Sequence, residues 1–128
     1  MPVTIRTLKK RKQEGAKFSV LTAYDATFSR LISEAGVEAM LIGDSLGNVI
    51  QGQPSTVPVT LAQMVYHTEC VARGNQGSLV IADVPFMGAA TLERILEAAT
   101  ALMQAGANVI KLEGGAWLCE AVTVLARN

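Results

Sequence analysis

Short apolar runs that end on an acid recur along this chain, and they constrain its fold more than any other feature. Ala39–Ile42 (AMLI) is apolar throughout and runs into Gly43, Asp44, Ser45, Leu46 and Gly47. SLVIADVPF ends a second run at Asp83, and NVIKLEGG ends a third at Lys111 and Glu113. Short apolar runs without alternation are the pattern of strands covered on both faces. Packing rarely explains an acid and a hydroxyl where such a strand empties into a glycine-flexed loop. The chain has three aspartates, Asp25, Asp44 and Asp83, and each follows such a run. The strand ends are therefore expected to converge on one site.

Helical patterns separate the runs. Residues 4–14 read as a short helix with Ile5 and Leu8 on one face, stopped by Gly15. Phe18–Ala23 is the first strand. Asp25 then opens a helix whose buried face is expected at Phe28, Leu31, Ile32 and Ala35, closed by Gly36. Met40–Ile42 is the core of the second strand, and residues 46–59 form the longest irregular stretch, a length that usually serves function. Thr60 and Gln63 form a capping box for a helix with Leu61, Met64, Val65 and Thr68 inside and Gly74 beyond its end. Leu79–Ala82 is the third strand. Thr91 caps a helix facing inward with Leu92, Ile95, Leu96, Ala99 and Met103, stopped by Gly106. Val109–Leu112 is the fourth strand, and Leu118, Ala121, Val122 and Leu125 mark a last helix.

A helix followed by four βα units demands a parallel sheet with right-handed crossovers. Such units build either a small open sheet or half of a (βα)8 barrel, and both bind ligands at the C-terminal strand ends. No G-x-G-x-x-G or G-x-x-x-x-G-K-[ST] follows a strand. Acids rather than glycine nests at the strand ends favour the α/β TIM-barrel class. A complete barrel needs about 250 residues, so 128 residues supply half the parts.

Composition narrows the partners. Eleven basic and eleven acidic residues cancel, which argues against nucleic acid, since phosphate binding needs a cationic surplus. The basic cluster Arg6, Lys9, Lys10, Arg11, Lys12 and Lys17 reads as a solvated terminal helix. Cys70 and Cys119 make neither a disulfide framework nor a metal-ligand spacing. No apolar run has the length of a membrane span or the flanks of a signal peptide, so a cytoplasmic protein without membrane partners is expected.

Asp44 and Asp83 offer oxygen donors at neighbouring strand ends, with Glu113 one strand further round. An all-oxygen set suits a hard cation, most simply Mg²⁺ that keeps open positions for substrate and water. Asp25 reads instead as a helix N-cap. Ser45 is either a turn residue or a donor to a substrate carboxylate. Lys111 is the one lysine after Lys17 and lies within an apolar strand. A buried ammonium needs a partner, so it faces the acids, as a simple salt bridge or as a grip on an anionic substrate. His67 reads as a helix-face residue, Tyr66 and Trp117 as packing, and Tyr24 as the aromatic placed to line the site. Together the set suits a 2-oxo acid whose ketone is polarised by the metal, which stabilises an enolate. A general base has yet to be found.

The segments LTAYDATFSRLISEAG, IGDSLGNVIQG, Pro58-Val59-Thr60, Tyr66-His67-Thr68, ADVPFM and AGANVIKLEGG together resemble the ketopantoate hydroxymethyltransferase family. The resemblance runs through essentially the whole chain in family order. It implies a (βα)8 barrel and hydroxymethyl transfer from 5,10-methylenetetrahydrofolate to 3-methyl-2-oxobutanoate, giving 2-dehydropantoate for pantothenate and coenzyme A. By that similarity Asp44 and Asp83 bind Mg²⁺, Glu113 completes the acidic surroundings, and Asp44, Ser45, Asp83 and Lys111 contact the oxo acid. The family forms homo-oligomers, usually decamers. Its glutamate base has no counterpart before Asn128, so no catalytic residue is assigned, and residues 1–128 are expected to be the N-terminal half of one barrel domain. Two other readings stay open: a catalytically inert half-barrel that self-associates or needs a partner half, and a related Mg²⁺-dependent lyase or mutase of 2-oxo acids.

Overall fold

The computed structural model describes all 128 residues. Four strands, β1 (Val20–Thr22), β2 (Ala39–Ile42), β3 (Leu79–Asp83) and β4 (Val109–Lys111), form one sheet in the order β1-β2-β3-β4, parallel throughout. Helix α1 (Ile5–Gln13) precedes the sheet. Helix α2 (Ala26–Glu34) joins β1 to β2, the short α3 (Leu46–Val49) and α4 (Leu61–Gly74) join β2 to β3, and α5 (Leu92–Gln104) joins β3 to β4. A 3₁₀ turn at Ala116–Leu118 leads into α6 (Cys119–Arg127).

The expected helix starts are observed. Asp25 accepts the N–H of Phe28, Thr91 accepts that of Arg94, and Thr60 with Gln63 closes both bonds of a capping box. Each satisfies donors that the first turn of a helix leaves orphaned.

Alternation divides the sheet into two faces. Met40, Ile42, Val80 and Ala82 are buried and pack with Met64 and Val71 of α4 and Leu102 of α5. Leu41 and Ile81 point the other way and are half-buried, and Asp83 shares the side of Ile81. The two central strands are thus covered as the apolar runs predict. The outer strands differ: every residue of β1 is exposed, and those of β4 are half-buried.

Several local expectations are corrected. The irregular stretch opens with α3, whose Leu46 is fully buried; four residues are too few to show a helical period. Helix α2 keeps Ile32 against the core as expected but turns Phe28, Leu31 and Ala35 outward. Phe28 and Leu31 are 61% and 55% exposed, whereas Ser29 is fully buried and donates its Oγ–H to the Val71 carbonyl at 2.6 Å. Met103 and Val122 are likewise exposed. Gly74 is the last residue of α4 rather than a stop beyond it, and it sits where a Cβ would lie 2.1 Å from the Ala26 carbonyl oxygen. Trp117, read as packing, is 73% exposed, its ring lying over Gly114 and Gly115. Tyr66 is exposed too, edge-on to His67.

Candidate active site at the strand ends

The Asp83 carboxylate, which closes β3, reaches the backbone of Asp44 after β2. Asp83 Oδ2 accepts the backbone N–H of Asp44 at 3.3 Å, and Asp83 Oδ1 accepts a hydrogen bond from Lys111 Nζ at 2.6 Å. One side chain therefore ties together the C-terminal ends of three adjacent strands. Gly43 makes the approach possible. A Cβ there would stand 2.8 Å from Ser45 Oγ, so a larger residue would push that hydroxyl away, and 3.4 Å from Asp83 Oδ2, an ordinary contact.

Lys111 also pairs with Glu113, two residues on. The Asp83 side chain is only 9% exposed, the Lys111 side chain 37%. Burial pushes the Asp83 carboxyl up, and the hydrogen bond and charge of Lys111 recover only part of that. Burial also works against the Lys111 ammonium, but its bonds to Asp83 and Glu113 outweigh it and hold the group above the ordinary lysine value. Glu113 is held low by the Lys111 hydrogen bond.

The donor chemistry fits a hard divalent cation. Asp83 feels the charge of Asp44 as well as that of Lys111, and Glu113 adds a third carboxylate beside the one ammonium, so a second positive charge is electrostatically favoured there. Mg²⁺ takes one or two protein carboxylates and keeps its remaining positions for water and substrate; Asp83, with Asp44 as its neighbour, is the carboxylate placed for such a role. Glu113 instead turns to Lys111, and no three His, Cys, Asp or Glu side chains are grouped as metal ligands.

Two further residues border the site. The Tyr24 hydroxyl lies 2.6 Å from Ser45 Oγ, and His67 Nδ1 lies 2.7 Å from the Tyr24 carbonyl oxygen. The position of Tyr24 just past β1 signalled its place. Nothing in the helical pattern around His67 signalled its reach to a residue 43 positions earlier.

A family model described as ketopantoate hydroxymethyltransferase matches residues 2–128. This chain belongs to the ketopantoate hydroxymethyltransferase family. Among curated members of that family, the 3-methyl-2-oxobutanoate hydroxymethyltransferase of Alcanivorax borkumensis is 83% identical over 128 residues, all of this chain and 49% of that protein. The enzyme of the same name from Marinobacter nauticus is 56% identical over 126 residues, 98% of this chain and 48% of the relative. The chain thus spans about half the length of the curated relatives it matches.

Solved structures agree on the fold. A 2,3-dimethylmalate lyase of the PEP mutase/isocitrate lyase superfamily superposes with a TM-score of 0.68 at 18% identity, over 94% of this chain and 49% of that one. A phosphonopyruvate hydrolase, solved with oxalate and Mg²⁺, gives 0.68 at 16% identity, over 82% of this chain and 36% of the other. The fold is α/β of the TIM-barrel type, and this chain of the family contributes four parallel strands to it.

Proposed function

We propose that this chain carries the oxo-acid and metal site of a 3-methyl-2-oxobutanoate hydroxymethyltransferase, and that residues 1–128 form the N-terminal half of one barrel domain. The observation that carries the reading is the convergence of Asp44, Asp83 and Lys111 through the Asp83 carboxylate.

In this reading Asp44 and Asp83 hold Mg²⁺, with Glu113 beside them through Lys111. Bound there, the metal supplies Lewis-acid polarisation of the ketone, which acidifies the neighbouring carbon. Lys111 presents its ammonium to the substrate carboxylate while Asp83 keeps it charged and in place. Ser45 donates a hydroxyl hydrogen bond to the same carboxylate, and backbone packing at Gly43 keeps Ser45 within reach of the acids. The one-carbon donor is 5,10-methylenetetrahydrofolate, the assembly a cytoplasmic homo-oligomer, a decamer by family likeness. The proton acceptor lies outside these residues, so substrate binding and chemistry separate between them and the rest of the barrel.

A second reading, an inert half-barrel that pairs with another copy or a partner half, draws on the exposed Val20 and Leu21 of edge strand β1 and on an apolar cleft beside β4 lined by Val109, Ile110, Leu112, Leu96 and Leu125. Bare parallel edges with apolar flanks favour association. NMR titration of the chain with 3-methyl-2-oxobutanoate, with and without Mg²⁺, tests the first reading. Metal-dependent shifts at Asp44, Ser45 and Lys111 support it, and their absence overturns it. Hydrogen–deuterium exchange at C3 of the oxo acid then bears on the second: exchange above background would defeat an inert half-barrel.

A further inference from the structure

We propose that Tyr24 is a positioning residue that orients the Ser45 hydroxyl toward an anionic carboxylate, and that His67 clamps Tyr24 by its backbone. The inference rests on the oxo-acid reading above. Ser45 Oγ and the Tyr24 hydroxyl are 2.6 Å apart, and both residues are half-buried. Either oxygen could donate, but a phenol is the more acidic hydroxyl and the better donor. Tyr24 then donates to Ser45, which keeps its own O–H to give onward. A carboxylate accepting that proton makes the chain from Tyr24 through Ser45 cooperative, each bond strengthening the next. Ser45 Oγ also lies on the same side of Gly43 as Asp83 Oδ2, so the hydroxyl stands beside the Asp83 carboxylate.

His67 explains why Tyr24 stays there. The Tyr24 carbonyl lies past the end of β1, where the sheet supplies no partner, and His67 Nδ1 sits 2.7 Å from it. A carbonyl oxygen only accepts, so Nδ1 is the nitrogen that must carry a hydrogen in this contact. A residue on α4 thereby fixes the backbone at the end of β1, and with it the phenol that serves the loop after β2.

The test uses the full chain with three variants, Tyr24→Phe, Ser45→Ala and the two combined, titrated calorimetrically with 3-methyl-2-oxobutanoate in the presence of Mg²⁺. Tyr24→Phe keeps the ring, so its thermal midpoint should stay near wild type while affinity falls about fivefold. The double variant should bind no more weakly than Ser45→Ala alone. Additive losses, or undiminished affinity in Tyr24→Phe, would overturn the positioning role while leaving the oxo-acid reading intact. A wild-type chain that binds no oxo acid would remove that reading and this role together. Nitrogen-15 NMR of the unliganded chain should show His67 with a hydrogen on Nδ1; an Nδ1 without one would overturn the clamp.

Discussion

Asp83 and Lys111 are direct partners in the parallel register of β3 and β4, and their side chains meet on one face at 2.6 Å. Register alone brings them together, because partnered residues in a parallel pair project to the same side. Replacing Lys111 by Met would leave Asp83 buried without its cation. An unpaired buried charge is costly, but Lys111 is more than a third exposed and solvent screens part of the pair. The expected loss is about 1–2 kcal/mol in urea denaturation, with an unchanged slope. Adding Asp83→Asn should recover much of it. No loss in the single variant would mean the pair contributes nothing to the fold.

Glu38 gives a second, independent handle. Its carboxylate accepts Ser19 N–H and Oγ–H at 2.8 and 2.7 Å and pairs with Arg11 at 2.7 Å, tying α1 to the start of the sheet. The Ser19 hydrogen bonds, helped by Arg11, lower its pKa from 4.5 to about 2. The folded chain therefore binds the proton less readily than the unfolded chain. This stabilisation is complete above the unfolded value and is lost as pH falls from about 4.5 toward about 2. Thermal midpoints measured across that window should drop for the wild type and drop less steeply for Glu38→Gln. Parallel curves would contradict the assignment.

Two glycines separate steric from conformational cost. At Gly74 the backbone is ordinary helix, where alanine is favoured by roughly 1 kcal/mol, yet a Cβ would lie 2.1 Å from the Ala26 carbonyl oxygen. The clash exceeds the propensity gain, so Gly74→Ala should destabilise by about 1–3 kcal/mol and separate α4 from the start of α2. At Gly36 nothing lies within 4 Å, but φ is +83°. Gly36→Ala should cost about 1 kcal/mol through backbone strain alone. Chemical denaturation of both variants checks the order; a stabilised Gly74→Ala would contradict the close approach.

What could be read from the residues was whatever is local. Asp25, Thr60 with Gln63, and Thr91 announced their helices because a cap acts within one turn. Asp44, Asp83 and Lys111 stood out because an ionisable group at the end of an apolar strand breaks the pattern around it. Contacts between distant segments left no such trace: the bond between Ser29 and Val71, the Glu38 latch to Ser19 and Arg11, and the reach of His67 to Tyr24. Helix α2 shows the limit of periodicity. Its apolar stripe predicted an inward Phe28 and Leu31, but the close seat of Gly74 against Ala26 rotates Ser29 inward instead.

If Asp83 gathers a metal-dependent oxo-acid site, losing it and losing Asp25 must affect binding differently. Calorimetric binding of 3-methyl-2-oxobutanoate with Mg²⁺ should be measured for the wild type, Asp83→Ala and Asp25→Ala. Asp25 caps α2, so its loss should cost about 0.5–2 kcal/mol of stability and leave binding in place, whereas Asp83→Ala should abolish binding. Equal loss in both variants, or Mg²⁺-dependent binding that survives Asp83→Ala, would mean that Asp83 does not gather the site.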